Sequence, residues 1–231
     1  MLRQENNRLI REFDSEQIWI EPWGANSLRV RVTKASRMPM PEEEWALLPP
    51  APQAPVISVQ DGEASITNGK ITAKLTGAGK IVFLNQRGQV LLEEFHRNRR
   101  EAEEAFRGKS ASHNVPQKKP DYLRALVSAL GVDAREFTPI LGGDYELTAR
   151  FESDPAEKLF GMGQYQQPHL NIKGCTLELA HRNSQASVPF VLSSLGYGFL
   201  WHNPAIGKAT FGTNVTEWYA RSTDILDYWI T

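Results

Sequence analysis

The sequence predicts an all-β chain, an antiparallel sandwich of short strands, and three observations carry that prediction. Apolar and polar residues alternate at period two through most of the length, the pattern of strands with one face in a core and one in water. Gly, Pro and Asn interrupt the alternation at short intervals, as tight turns between strands require. The 231 residues, 41% of them apolar or aromatic, suffice to bury a sizeable core, and nothing in their order suggests a βαβ array.

The elements follow in order. SLRVRV points Leu28, Val30 and Val32 to a core and Arg29 and Arg31 to water. SITNGKITAKL holds Asn68 and Gly69, a dipeptide suited to a tight hairpin, and KIVFLNQRGQVLL turns near Arg87 and Gly88. YELTARF sets Tyr145, Leu147, Ala149 and Phe151 on one side, and TLELA, SVPFVLSS, GYGFLWHN and LDYWIT continue the series. Residues 1–231 therefore read as one β-sandwich domain.

Segments without alternation interrupt it. Six of the fourteen prolines lie between Pro39 and Pro55, which predicts an extended surface loop around Trp45. Residues 93–131 read as a helical insertion. In EEFHRNRREAEEAFRG opposite charges four residues apart would share a solvated helix face, and PDYLRALVSALG is amphipathic between Asp121 and Gly131.

Composition narrows the function. A net charge of -1 with 23% charged residues argues against a nucleic-acid partner, and no apolar run of about 18 residues argues against a membrane span or signal peptide. The single Cys175 allows no internal disulfide and points to a cytoplasmic protein, or to a secreted one whose signal peptide has been removed. No cofactor is expected. Cys175, His181 and His202 lack the spacing of a metal site. TGAGK at 76–80 lacks the Gly and the Ser or Thr of a phosphate loop and reads as a hairpin turn; no GxSxG elbow is present. Asp224 and Asp227 sit in a strand context as surface or loop groups.

One stretch concentrates polar chemistry. GMGQYQQPHLNIKG, residues 161–174, holds three glycines, four amides, a tyrosine, a histidine and a lysine. The glycines suit irregular backbone, and the amides are able to satisfy either the loop's own backbone or a ligand.

LFGMGQYQQ, KGCTLELAHRNSQASVPFVLSSLGYGFLWHNPA and WYARSTDILDYWIT, in this order, resemble the N-terminal domain of glycoside hydrolase family 31, the α-glucosidases and α-xylosidases. The resemblance is strong over about 140–231 and loose before that, mainly through EPWGANSLRVRV. It implies a galactose-mutarotase-like sandwich that precedes a (β/α)₈ barrel carrying both catalytic aspartates, so no catalytic residue is assigned here. Residues 222–231 would begin the connection to that barrel. The retaining mechanism needs two carboxyl groups about 5–5.5 Å apart, and the chain alone is expected to be inactive.

In the family a loop of this domain reaches the leaving-group subsite, which makes Gln164, Tyr165, Gln167, His169, Asn171 and Lys173 candidate contacts for an α-linked oligosaccharide. Amides match sugar hydroxyls and the Tyr165 ring is able to stack on a sugar face. Arg182, Asn183, Trp218, Tyr228 and Trp229 are candidate contacts with the barrel, the chain's expected partner. If these aromatics face it, the chain should expose an apolar patch and self-associate. A stand-alone carbohydrate-binding module and a mutarotase-like enzyme stay open as alternatives, the latter needing a His opposite a carboxylate in a cleft.

Overall fold

A computed structural model describes residues 1–40, 46–60, 62–96 and 131–231. Among these residues there is no helix, and eighteen strands form three antiparallel sheets. The eight-stranded sheet runs β1 (Leu2–Glu5), β2 (Arg8–Phe13), β3 (Glu16–Pro22), β4 (Leu28–Thr33), β18 (Leu226–Ile230), β15 (Tyr197–Trp201), β14 (Ala186–Ser193) and β12 (Leu159–Gln164). A five-stranded sheet runs β10 (Arg135–Pro139), β11 (Tyr145–Glu152), β17 (Val215–Thr223), β16 (Gly207–Phe211) and β13 (Thr176–Leu179). The other five-stranded sheet is a meander of β5 (Val56–Gln60), β6 (Glu63–Asn68), β7 (Ile71–Leu75), β8 (Ile81–Asn85) and β9 (Val90–Glu93). A bridge between Glu94 and Phe151 joins the two smaller sheets.

The core lies where both smaller sheets meet the large one. Tyr228 of β18 packs edge-on against Phe83 of β8 and Phe151 of β11, with ring centroids 6.1 and 5.7 Å apart. Phe199, Trp201, Trp218 and Phe211 extend this aromatic layer through further ring contacts. The period-two pattern thus finds its apolar partners across the sandwich, as in packed sheets generally.

Several expectations change. Arg29 and Arg31 do not face water: they are 0% and 2% exposed, paired with Asp227 and Glu21. The guanidiniums of Arg29 and Arg8 lie over the Trp23 and Trp19 rings, each 4.3 Å from the centroid, so the outer face of β3 and β4 is a second buried layer. Alternation identifies the two faces of a strand but does not say that the charged one is wet. Asp227, read as a surface or loop group, is accordingly buried. Asn68 is not a turn centre; it ends β6, buried, and its Nδ2 donates to the carbonyls of Gly24 and Ser27. Gly69, at φ +59°, makes the turn.

Residues 222–231 are not a connecting segment, because β18 lies between β4 and β15 in the large sheet. Glu93 ends β9 and Glu94 is bridged to Phe151, so no helix starts at 93. The helices expected further on, and Trp45, fall on 97–130 and 41–45, outside the described residues.

Candidate functional site

The 161–174 segment leaves the large sheet from β12, an edge strand, and its geometry begins inside that strand. Gly161, Met162 and Gly163 all have positive φ, +116°, +71° and +87°, and the register with β14 shifts there. This bulge turns the fully buried Met162 into the core. A Cβ on Gly161 would stand 2.5 Å from the Phe190 carbonyl oxygen, and one on Gly163 would strike that of Ala186. The glycines therefore serve backbone conformation.

The returning end of the loop is equally fixed. Asn171 Oδ1 accepts hydrogen bonds from the backbone N–H of Leu159, 2.9 Å, and of Lys173, 3.2 Å. Ile172 is buried, and its N–H donates to the Leu159 carbonyl. Lys173 Nζ donates to Ser153 Oγ at 2.5 Å and to Glu157 Oε2 at 3.1 Å. Glu157 also accepts from the hydroxyls of Ser193 and Tyr197. Burial, with the carboxylate beside it, holds the Tyr197 phenol well above its ordinary pKa.

Tyr165 is half-buried, packed on the core, and its hydroxyl reaches the Glu178 carbonyl and Ser187 Oγ at 2.7 and 2.9 Å. Burial raises its pKa.

The six candidate contacts thus divide. Asn171 Oδ1, Lys173 Nζ and the Tyr165 hydroxyl are used within the fold, and the Tyr165 ring is half-buried against the core. Gln164, Gln167 and His169 are exposed together with Gln166, and among the described residues their side chains make no hydrogen bond. Sequence reasoning missed Glu157, whose three donors come from residues 16 to 40 positions away; no local pattern marks it.

The candidate interface residues divide as well. Trp218 and Tyr228 are 1% and 0% exposed in the core and face no partner. Trp229 is half-buried on the outer face, its Nε1 donating to the Trp23 carbonyl at 2.8 Å. Arg182 and Asn183 lie exposed at the turn between β13 and β14, with Arg182 in a two-point ion pair with Glu178.

Among the described residues two histidines adjoin a carboxylate. His96 stands 4.0 Å from Asp133, and Asp227, which His202 adjoins, is engaged by Arg29 through Nε and Nη2. Burial raises the Asp227 pKa against the pull of Arg29. Among the described residues no group of three or more His, Cys, Asp or Glu is placed to hold a metal, and no helix is long and apolar enough to cross a membrane.

No family model matches the chain. A family 31 glucosidase of Pseudescherichia vulneris is 49% identical over 235 residues, covering all of this chain and 41% of that protein. Among solved structures, a family 31 α-xylosidase from a soil metagenome, complexed with xylose, superposes over the whole chain with a TM-score of 0.84 at 47% identity. The chain belongs to glycoside hydrolase family 31. α-Xylosidase A of Aspergillus niger is 34% identical over 92 residues, 40% of this chain. These relatives are much longer: this family 31 chain spans 41% of the glucosidase and 32% of the soil α-xylosidase.

Proposed function

We propose that this family 31 chain is the N-terminal, non-catalytic domain of a retaining α-glycosidase that releases terminal α-linked xylosyl or glucosyl residues. Its 164–170 loop lines the leaving-group subsite of a catalytic (β/α)₈ barrel. One observation carries the reading of the loop: between the buried Met162 and the buried Ile172, Gln164, Gln167 and His169 are exposed, and among the described residues their side chains make no hydrogen bond. Such groups lose little freedom of the backbone beneath them when a sugar hydroxyl replaces water. The names of the relatives supply the substrate class, α-xylosides first.

The test has two arms. The chain alone is expected not to hydrolyse an aryl α-xyloside, and turnover by the pure chain would sink the non-catalytic reading. In a chimera that sets this chain in place of its counterpart in the soil α-xylosidase, Gln164→Ala, Gln167→Ala and His169→Ala should raise KM for a xylosyl disaccharide. The same changes should leave KM for an aryl α-xyloside, which lacks the second sugar, near the parent's. Equal effects on both substrates would remove the loop from the leaving-group subsite.

A further inference from the structure

The outer face of the large sheet changes character half-way across. Over β3 and β4 it is closed by the arginine and tryptophan layer described above. From Trp229 of β18 across β15, β14 and β12 it is partly open and apolar, whereas Asp227 of β18 belongs to the closed layer. The register sets Trp229 beside Leu200, Leu200 beside Phe190, and Leu192 beside Phe160. Val188 and Leu192 are 50% and 51% exposed, and Phe160, Phe190, Leu200 and Trp229 are half-buried. Six apolar side chains on neighbouring strands form a continuous patch of the kind that marks an interaction surface. Of the aromatics expected to expose an apolar patch, Trp229 belongs to this face, whereas Trp218 and Tyr228 are buried in the core.

We propose that this face is the docking surface for the catalytic domain of the enzyme, a proposal that rests on the reading given under Proposed function. Three relationships favour that occupant. The family 31 glucosidase and the soil α-xylosidase, which both align with the whole chain, are more than twice as long as the part they share with it, so a large further body of polypeptide accompanies this domain in them. Thr231 exchanges both backbone hydrogen bonds with Gly198, so the C-terminal end of β18 lies at the margin of this face. The patch is also continuous with the loop: Gln164 pairs with Ala186, which lies on the same side of β14 as Val188, Phe190 and Leu192. One body seated on the patch therefore meets the loop's exposed amides.

Val188→Asp combined with Leu192→Asp tests this in the isolated chain and in the chimera. Both positions face water in the isolated chain, so its melting temperature should stay within about 2 °C of the parent's while binding of an apolar dye falls. The chimera should melt several degrees lower and lose about tenfold or more in α-xyloside hydrolysis, as when a charge enters the centre of an interface. A doubly substituted chimera as stable and active as its parent overturns the proposal. So does light scattering that shows the substitutions abolishing a dimer of the isolated chain while the chimera is unaffected, which assigns the face to a second copy. Should the parent chimera not fold, aspartates at the aligned positions of the intact soil α-xylosidase give the same readout. The two readings fail separately, since loop substitutions act on a substrate-dependent KM and face substitutions act on melting.

Discussion

Lys173 and Glu157 meet in an ion pair closed to water on both sides, with Nζ and Oε2 3.1 Å apart and side chains 6% and 4% exposed. The pair closes the base of the polar loop onto the large sheet, because Glu157 also holds Ser193 of β14 and Tyr197 of β15. Removing one member of a buried pair leaves the other charge without compensation. Glu157→Ala is therefore expected to cost about 3–5 kcal/mol in urea unfolding. A loss below about 1 kcal/mol, the range of exposed pairs, would show that water reaches the pair in solution.

Arg135 is the corresponding centre between the sheets. It pairs with Glu94 and Glu16 and donates to the Gly79 carbonyl, with its side chain 7% exposed. Burial opposes its charge, but the two carboxylates outweigh burial and raise its pKa. Burial likewise raises Glu94, whereas at Glu16 Arg135 overcomes burial and lowers the pKa. In Arg135→Met the folded-state pKa of both carboxyl groups should rise. A carboxyl raised in the folded state stabilises below its unfolded pKa and loses that contribution as pH rises through the folded value. The stability that Glu16 supplies above its unfolded pKa disappears as well. The variant's deficit should thus be small near about pH 4 and grow toward about pH 7; a deficit independent of pH would contradict this assignment.

The strands were legible because their alternation reports packing directly: Leu147, Ala149 and Phe151 are buried on one side of β11 as their spacing requires. The fate of the polar side was not legible. Arg29 and Asp227 are 198 residues apart, and only the pairing of β4 with β18 makes them partners. The loop was legible as chemistry but not as geometry. Nothing within 161–174 distinguishes Asn171, which bonds backbone, from Gln167, which does not; the difference depends on where β12 places the Leu159 N–H.

Tyr228 offers a test of a buried polar atom. The ring is fully buried, and among the described residues its hydroxyl has no hydrogen-bond partner. Tyr228→Phe removes an unsatisfied group with little change of shape, so it should be neutral or stabilising at neutral pH. Tyr197→Phe, which removes a bond to Glu157, should cost about 1–2 kcal/mol. Burial raises both phenols well above their ordinary pKa. A raised folded-state pKa gives a contribution that is complete below the unfolded value, near about 10, and lost as pH rises through the folded one. Unfolding free energy should therefore fall above about pH 10, and less steeply in Tyr228→Phe than in the parent. Equal slopes would mean that Tyr228 ionises in the folded protein.

Gly163 and Gly174 separate two reasons for glycine in the loop. Both have φ of +87°, so alanine carries the same left-handed penalty at each, about 1–2 kcal/mol. At Gly174 a Cβ meets nothing within 4 Å, and that penalty should be the whole cost. At Gly163 the Cβ strikes the Ala186 carbonyl oxygen and crowds Val188, both backbone neighbours on β14. Relief requires β12 and β14 to part at the bulge that buries Met162 and launches Gln164. Gly163→Ala should cost clearly more than Gly174→Ala in urea unfolding and should increase amide hydrogen exchange along β12. In the chimera it should weaken disaccharide binding, whereas Gly174→Ala should not. Equal costs for the two variants would mean that the edge strand yields freely, and the loop would then lack the rigid base on which its reading as a sugar contact depends.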